Sequence, residues 1–450
     1  MLNNSPESMA GAVLERCADC DVCRYLMEDT PCRVFPEIYR LHDKEAEGGG
    51  RMCAKELRQM VDLCNFCALC PCPDIRADLM KAKHAFVRRD GLKPTIRLLE
   101  EVGRLARVCG AYPRLANSLL QHKRTGNLLK KLGGIHPARK LPEFPEEGFP
   151  SWARRQGLYD RRESSGRKVA YFAGCTAQYL FPDVPKAVVE ILRHNEIEVF
   201  LPEQKCCGMP SLLEGDLDLT CEFAAFNLDR LCEAVDSGYD IVCSCPTCGY
   251  MLKHVVSEGA LYARKGLEAR RPGAGPYSAS IMHELYRFID RKHEDEGYFA
   301  SLDPLKRIRV ADHTFDLGEY LRSLLHAGRF NKDLGTVSAR MAYYPPCHLR
   351  EQKIGEPYAD LLGLVPGASV ERIEGAFHCC GIAGIMGFKK EFYRVSVEMG
   401  SRLMRKIEEI HPERLVTDCL SCRIQFSQLT PYTVLHPVEI LREAYSNWLA

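Results

Sequence analysis

Val169-Ala-Tyr-Phe-Ala-Gly-Cys175 and Met341-Ala-Tyr-Tyr-Pro-Pro-Cys347 are two short apolar and aromatic runs, each ending on a cysteine. Each reads as a strand whose end presents a ligand. Working outward, the same order of cysteines follows both runs. Cys175 is followed by the vicinal pair Cys206 and Cys207, by Gly208 and by Cys245-x-x-Cys248, and Cys347 by Cys379, Cys380, Gly381 and Cys419-x-x-Cys422. Corresponding cysteines lie about 172 to 174 residues apart, so the second part of the chain is one module written twice. Helical periodicity follows the strands. It is carried by Val188, Ile191 and Leu192 within Pro185 to Ile197, and by Phe392, Val395, Met399, Leu403, Ile407 and Ile410 in the second copy. Further strands are predicted at Ile241-Val-Cys243 and Leu415-Val-Thr417. Such alternation predicts an α/β fold with a largely parallel sheet in each copy. The repeat is expected to continue with Val310 to Glu319 aligned on Val434 to Glu443, a strand turning into a closing helix.

Composition bounds the chemistry. Twenty-three cysteines in 450 residues could make a disulfide framework, but such frameworks belong to small secreted domains without a sufficient core. The start, MLNNSPESMAGAVLERC, has neither a basic nor an apolar signal region, so the chain is expected to be cytoplasmic and reduced. With 61 basic and 60 acidic residues there is no global nucleic-acid footprint. No apolar run approaches the roughly 18 residues of a transmembrane helix, and peripheral contact with the inner face of the cell membrane stays open. Five thiolates at one site suit a multinuclear iron-sulfur cluster.

The N-terminal part carries Cys17-x-x-Cys20-x-x-Cys23 and Cys64-x-x-Cys67-x-x-Cys70, the triple with which bacterial ferredoxins grip a 4Fe-4S cubane. In two-cluster ferredoxins the fourth ligand crosses over, which assigns Cys72 to the first triple and Cys32 to the second. Zinc, which needs a closed tetrahedron, fits these interleaved sets poorly. Cys53 falls on the helical face of Leu57, Met60, Val61 and Cys64 and is a reserve ligand candidate that reads first as a core thiol, as do Cys109, Cys221 and Cys232. Cys243 would point to the same strand face as Cys245 and is a further candidate for contact with the site. His348 and His378 adjoin module cysteines and read as hydrogen-bonding neighbours of a cluster, with proton donation the rival role.

The strings Cys379-Cys-Gly-Ile-Ala-Gly-Ile-Met-Gly-Phe-Lys-Lys-Glu391 and Leu415-Val-Thr-Asp-Cys-Leu-Ser-Cys422 resemble the C-subunit family of anaerobic glycerol-3-phosphate dehydrogenases, and the resemblance runs through nearly the whole chain. More broadly, the modules resemble the CCG domains found in the B subunit of heterodisulfide reductase and in the iron-sulfur subunits of glycolate and lactate oxidases. The resemblance implies a noncubane 4Fe-4S cluster in each five-cysteine module. It also implies a flavoprotein dehydrogenase partner and delivery of electrons to membrane quinone or a membrane subunit. No GxGxxG follows a strand and no GxxxxGK[ST] occurs, consistent with a substrate site on a partner.

The organisation expected is an N-terminal α-helical ferredoxin-type domain over 1–100 with two 4Fe-4S clusters, then two tandem α/β CCG modules over 168–337 and 338–450. Between them, 101–167 is a helical and Pro-rich linker: Leu105 to Leu132 reads as helix broken at Gly110 to Pro113, and Gly133 to Lys168 as irregular. The basic stretch Arg114 to Lys131 suits either an anionic membrane surface or solvent. Residues 260–305 read as an insertion with a charged helix at Ile281 to Lys292. The function expected is electron transfer within a larger oxidoreductase; a catalytic disulfide reductase and a zinc scaffold are the rivals.

Overall fold

A computed structural model describes residues 5–448 apart from 29, 49, 51, 68, 71, 162–165, 262–296 and 375–377. The expected helix Ile281 to Lys292 lies outside the described residues.

Five helices open the chain: α1 (Pro6–Ala18), α2 (Asp21–Glu28), α3 (Val34–Ala46), α4 (Ala54–Asp62) and α5 (Pro73–Asp90). α1 starts on the Ser5 cap with Pro6 at its first turn and buries Ala10, Val13, Leu14 and Cys17, the i, i+3, i+4, i+7 stripe that an amphipathic helix presents to a core. α5 buries Ile75, Leu79, Met80, Ala82 and Phe86. Cys53 departs from its expected burial. It caps α4 in an extended conformation and is exposed, because a capping residue leaves the helical face that Leu57, Met60 and Val61 bury.

Two parallel four-stranded sheets follow. The first comprises β1 (Lys168–Phe172), β2 (Glu198–Phe200), β3 (Asp240–Cys243) and β4 (Thr314–Asp316), in the order β2-β1-β3-β4. The second comprises β5 (Ala339–Tyr344), β6 (Ala368–Arg372), β7 (Arg414–Thr417) and β8 (Thr433–Leu435), in the order β6-β5-β7-β8. The topology is therefore duplicated along with the cysteines. β1, β3, β5 and β7 are central and nearly continuous in burial, as parallel strands covered by helices on both faces must be. β2 and β6 carry no alternating signal: one is three residues long and the other, Ala-Ser-Val-Glu-Arg, is a mostly exposed edge.

Register corrects one expectation. Ile241 and Val242 pair with Thr314 and Phe315, while Leu415 and Val416 pair with Val434 and Leu435. Thr314 is thus the counterpart of Val434, and Asp316 that of His436. The alignment of Val310 with Val434 is out by four residues, because Val310 is in the helix Pro304–Asp312 that precedes β4.

The modules are related by an approximate two-fold. The helix Asp183–His194, after β1, packs on Pro437–Trp448, after β8, and the helix Pro357–Leu362, after β5, packs on Leu317–His326, after β4. One core joins both sheets through Val169, Tyr171 and Val242 on one side and Met341, Tyr343 and Val416 on the other. A second core runs from the N-terminal helices into the opposite face of the first sheet, through Phe86, Leu213, Phe172 and Ile241.

The segment read as helix then linker is more ordered than its composition implied. It forms helices Val102–Gly110, Pro113–Gln121, Lys123–Leu132 and Phe149–Arg155. Arg139 is fully buried in the second module, where it donates to the Gly387 carbonyl at 2.9 and 2.6 Å and to Gln425 Oε1 at 2.6 Å.

Candidate functional site

Every central strand delivers a cysteine at its carboxyl end, the edge where open parallel sheets bind ligands. β1 and β5 lead to Cys175 and Cys347, which open helices Cys175–Leu180 and Cys347–Glu351. β3 and β7 lead to Cys245 and Cys419, which cap helices Pro246–Tyr250 and Leu420–Leu429. A helix N-terminus favours thiolate over thiol. Strand ends are tied from behind by counterpart bonds: Tyr171 to Ser244 at 2.7 Å, and the Tyr343 hydroxyl donating to Asp418 Oδ2 at 3.1 Å.

The vicinal pairs complete each set from a turn. Gly208 and Gly381 stand at φ +89° and +85°, the left-handed conformation that lets two adjacent cysteines face one site. The Gly381 amide donates to Cys379 Sγ at 3.3 Å. Gly174, at φ +75°, is needed for a different reason: a β-carbon there would lie 2.8 Å from Cys248 Sγ.

All ten module cysteines line a single cavity of about 90 Å³. Within the sets, Cys175 Sγ is 3.5 Å from Cys206 Sγ and Cys422 Sγ is 3.1 Å from Cys380 Sγ. Between the sets, the counterparts Cys245 and Cys419 come within interaction reach of each other near the approximate two-fold. Hydrogen bonds from Cys206 and Cys248 bring the Cys207 thiol down to about 6, and those from Cys379 and Cys422 depress its counterpart Cys380. Burial lifts Cys347 to about 12, and the hydrogen bond with Cys380 together with burial lifts Cys379. Thiols crowded around low-pKa partners are chemically able to bind, as thiolates, to a shared positive centre.

The N-terminal cysteines gather into two groups. Cys17, Cys20, Cys23 and Cys72 lie within electrostatic reach of one another, and burial and neighbouring thiols raise Cys17 to about 12. Cys32, Cys64, Cys67 and Cys70 line one small cavity between the helices. Cys72 is thus near the first triple and Cys32 near the second. Cys67 also lines the ten-cysteine cavity and lies close to Cys347 and Cys379. The second triple is therefore adjacent to the second module.

Other residues fall as follows. His348 lines the cavity with both ring nitrogens engaged, by Thr247 Oγ1 at 2.9 Å and the Phe66 carbonyl at 3.2 Å, and stacks on Tyr250. It joins the first module, the second and the N-terminal helices; burial lowers its pKa. The His378 carbonyl accepts from Tyr344 and Arg350. Cys243 is fully buried under the site but is not among the cavity-lining residues. Cys232 and Cys221 contact the carbonyls of Lys306 and Tyr298, and Cys109 is half-buried.

Sequence reasoning missed the buried ion pair of Lys389 with Glu214, at 2.7 Å, which ties the two vicinal-pair loops together. It also missed Asn65, Gln178, Gln204 and Arg139. Only the tyrosines Tyr171 and Tyr343 had a signal, their shared place in the repeat.

The cysteine-rich domain model CCG matches residues 169–253 and 341–427. The chain carries this domain twice. It is homologous to the C subunit of the anaerobic glycerol-3-phosphate dehydrogenase of Escherichia coli (strain K12), with 26% identity over 366 residues covering 80% of each chain. It is also related to the B subunit of the fumarate reductase (CoM/CoB) of Methanothermobacter marburgensis, 23% identical across 87% of this chain and 73% of that one. Lactate utilization protein A of Exiguobacterium sp. is 27% identical across 61% of this chain and 97% of its own length. That shorter match covers less than two thirds of the chain, in keeping with a core shared among relatives and additional segments beyond it.

Proposed function

We propose that the chain is an iron-sulfur electron-transfer subunit that relays electrons between a flavoprotein dehydrogenase partner and a terminal acceptor such as membrane quinone. Cys17, Cys20, Cys23 and Cys72 would hold one 4Fe-4S cubane, and Cys64, Cys67, Cys70 and Cys32 another, within a ferredoxin-type domain over 1–100. Each five-cysteine set would hold a further cluster, of the noncubane 4Fe-4S kind. Clusters of this class supply one-electron steps at potentials set by charge, burial and hydrogen bonds to sulfur. The protein's part is to hold the thiolates, exclude water and keep the sites close together. The observation that carries the reading is that Cys67 and all ten module cysteines line one cavity. The names of the relatives, subunits of a dehydrogenase and of a reductase, support a place in a multi-subunit oxidoreductase.

Among the described residues no helix is long and apolar enough to cross a membrane. A peripheral contact is supported by helices Val102–Gly110 to Lys123–Leu132, which leave Val108, Tyr112, Leu115, Leu128 and Leu132 exposed. This stretch holds Arg104, Arg107, Arg114, Lys123, Arg124, Lys130 and Lys131 and no acidic residue, a composition suited to anionic lipid.

A second reading, a catalytic disulfide reductase, is favoured by one feature: Cys175 and Cys206 also line an open cleft through which a small molecule could reach the first set.

Anaerobic purification with native partners tests the relay. On the order of 16 irons per chain with matching acid-labile sulfide, and a copurifying flavoprotein, are expected. Stoichiometric zinc with negligible sulfide would sink the proposal.

A further inference from the structure

The two five-cysteine sets differ in what lies outside them. Beside Cys175 and Cys206 a cleft of about 770 Å³ separates helix Val102–Gly110, helix Cys175–Leu180 and the loop Pro202–Cys206. We infer that this cleft binds a lipid-soluble quinone, whose carbonyl oxygens accept hydrogen bonds from Gln178 and Tyr179. The inference rests on the relay reading above and assigns its acceptor a place.

The donors come first. Gln178 is only 5% exposed and lines the cleft one helical turn beyond Cys175. Its side-chain amide has no hydrogen-bond partner among the described residues, which leaves it free to answer a ligand in the cleft it lines. Tyr179 follows it into the cleft, within electrostatic reach of both Arg107 and Cys175. By contrast the neighbouring Gln204 is committed to the fold: it accepts from the Gly174 amide at 3.1 Å and donates to the Tyr171 and Pro202 carbonyls at 3.2 Å.

The walls suit a flat, uncharged ring. Tyr159, Tyr179, Phe223 and Phe226 supply aromatic surface. Two of the lining cations are already answered, Arg104 by Glu101 and Lys205 by Glu222, and Lys205 also lies over the Phe226 ring. Arg154 covers Tyr159, and Glu203 offsets part of what charge remains. A site near charge balance is a poor trap for a polyanion such as an acidic disulfide.

The mouth suits a lipophilic ligand. Gly103, Arg104 and Arg107 of the lining belong to the same helix as Val108, which is 70% exposed and begins the apolar, acid-free surface described above. That helix packs directly on the one that Cys175 opens. The surface fit for a bilayer and the nearest cysteine of the first set are thus two packed helices apart. Reduction would take two electrons, delivered singly by the flavoprotein-fed relay, and two protons from water in the open cleft, converting both quinone carbonyls to hydroxyls with no bond to protein formed.

Photolabelling of the anaerobically purified full chain with an azido-substituted short-chain naphthoquinone tests this. Adducts are expected on peptides carrying Tyr179 and Gly103 to Arg107. Gly103→Leu should cut labelling at least tenfold, since even a β-carbon at Gly103 would lie 3.2 Å from the Tyr179 ring. Gln178→Leu, nearly isosteric, should weaken competition by unlabelled quinone about tenfold, the removal of one buried hydrogen bond. Low-temperature EPR of the reduced protein should be unchanged in both variants. Adducts elsewhere, or labelling indifferent to both substitutions, would overturn the cleft assignment. Because labelling needs no electron transfer, a chain that binds quinone here but carries no iron would instead overturn the relay.

Discussion

The two modules share topology, cysteine order and the left-handed glycine after the vicinal pair, yet they occupy different places. The second is enclosed: Cys67 and Phe66 from the N-terminal helices reach Cys347, Cys379 and His348. The first is open beside Cys175 and Cys206. Duplication supplied two equivalent thiolate sets, and packing against unequal neighbours made one internal and the other peripheral. On the proposed relay, this would order electron flow from the N-terminal groups through the second module to the first.

Cys380→Ser against Cys207→Ser breaks or sharpens that contrast most strongly. Both occupy the low-pKa position of their set. Cys380→Ser should abolish delivery to the acceptor while the N-terminal groups still reduce, whereas Cys207→Ser should leave the second module reducible as well. Stopped-flow reduction followed by freeze-quench EPR distinguishes them; identical spectra from the two variants would remove the proposed order. Cys67→Ser, which modular independence would make a local lesion, should instead perturb the second module's signal too.

Next come the two glycines. A β-carbon on Gly381 would collide with the Ser396 carbonyl and lie 3.0 Å from the Gly400 amide, both backbone. On Gly208 it meets only the Thr220 methyl at 3.1 Å, which can yield. Gly208→Ala should cost about 1–2 kcal/mol for the left-handed conformation alone, and Gly381→Ala about 3 kcal/mol or more. Denaturant unfolding of both, monitored by circular dichroism, would contradict the asymmetry if the costs were equal.

Arg139 buttresses only the second module. Arg139→Ala leaves the Gly387 carbonyl and Gln425 without their buried donor and should destabilise by about 3 kcal/mol. Hydrogen exchange should rise in helix Tyr393–Ile410 more than in the first sheet. A uniform rise would mean that the modules unfold as one unit.

The smallest effect concerns the first module's flank. Glu100 is fully buried with neither carboxylate oxygen hydrogen-bonded among the described residues, and desolvation, with Asp216 and Glu214 nearby, raises its pKa to about 9. In the unfolded chain the same group releases its proton near pH 4.5. Between those values the folded state holds a proton that the unfolded state has lost, so stability falls as pH rises from about 4.5 towards 9. Glu100→Gln should flatten that slope, gaining on the order of 2 kcal/mol at pH 8 and little at pH 5. Unfolding midpoints at the two pH values measure it, and equal gains at both would show the carboxyl ionised in the fold.

Much of the architecture was readable because two signals are local. Central strands β1, β3, β5 and β7 are short apolar runs, and cysteine spacing is unaffected by burial. Edge strands β2 and β6 were not, since an edge need bury little. The four-residue slip between Val310 and Val434 has a similar origin: an apolar valine suits a helix end as well as a strand, and pairing to β3 alone decides which. By itself the sequence determined the duplication, the parallel α/β class and the ten-cysteine repeat, because each is a matter of residue type and order along the chain. Tertiary structure alone decided that Cys245 meets Cys419, that Cys67 joins the second module's wall, that Arg139 pins a supposed linker and that Gln178 beside Cys175 has no side-chain partner among the described residues. These are contacts between segments distant in sequence, set by how helices and sheets fill shared space, and no local pattern encodes them.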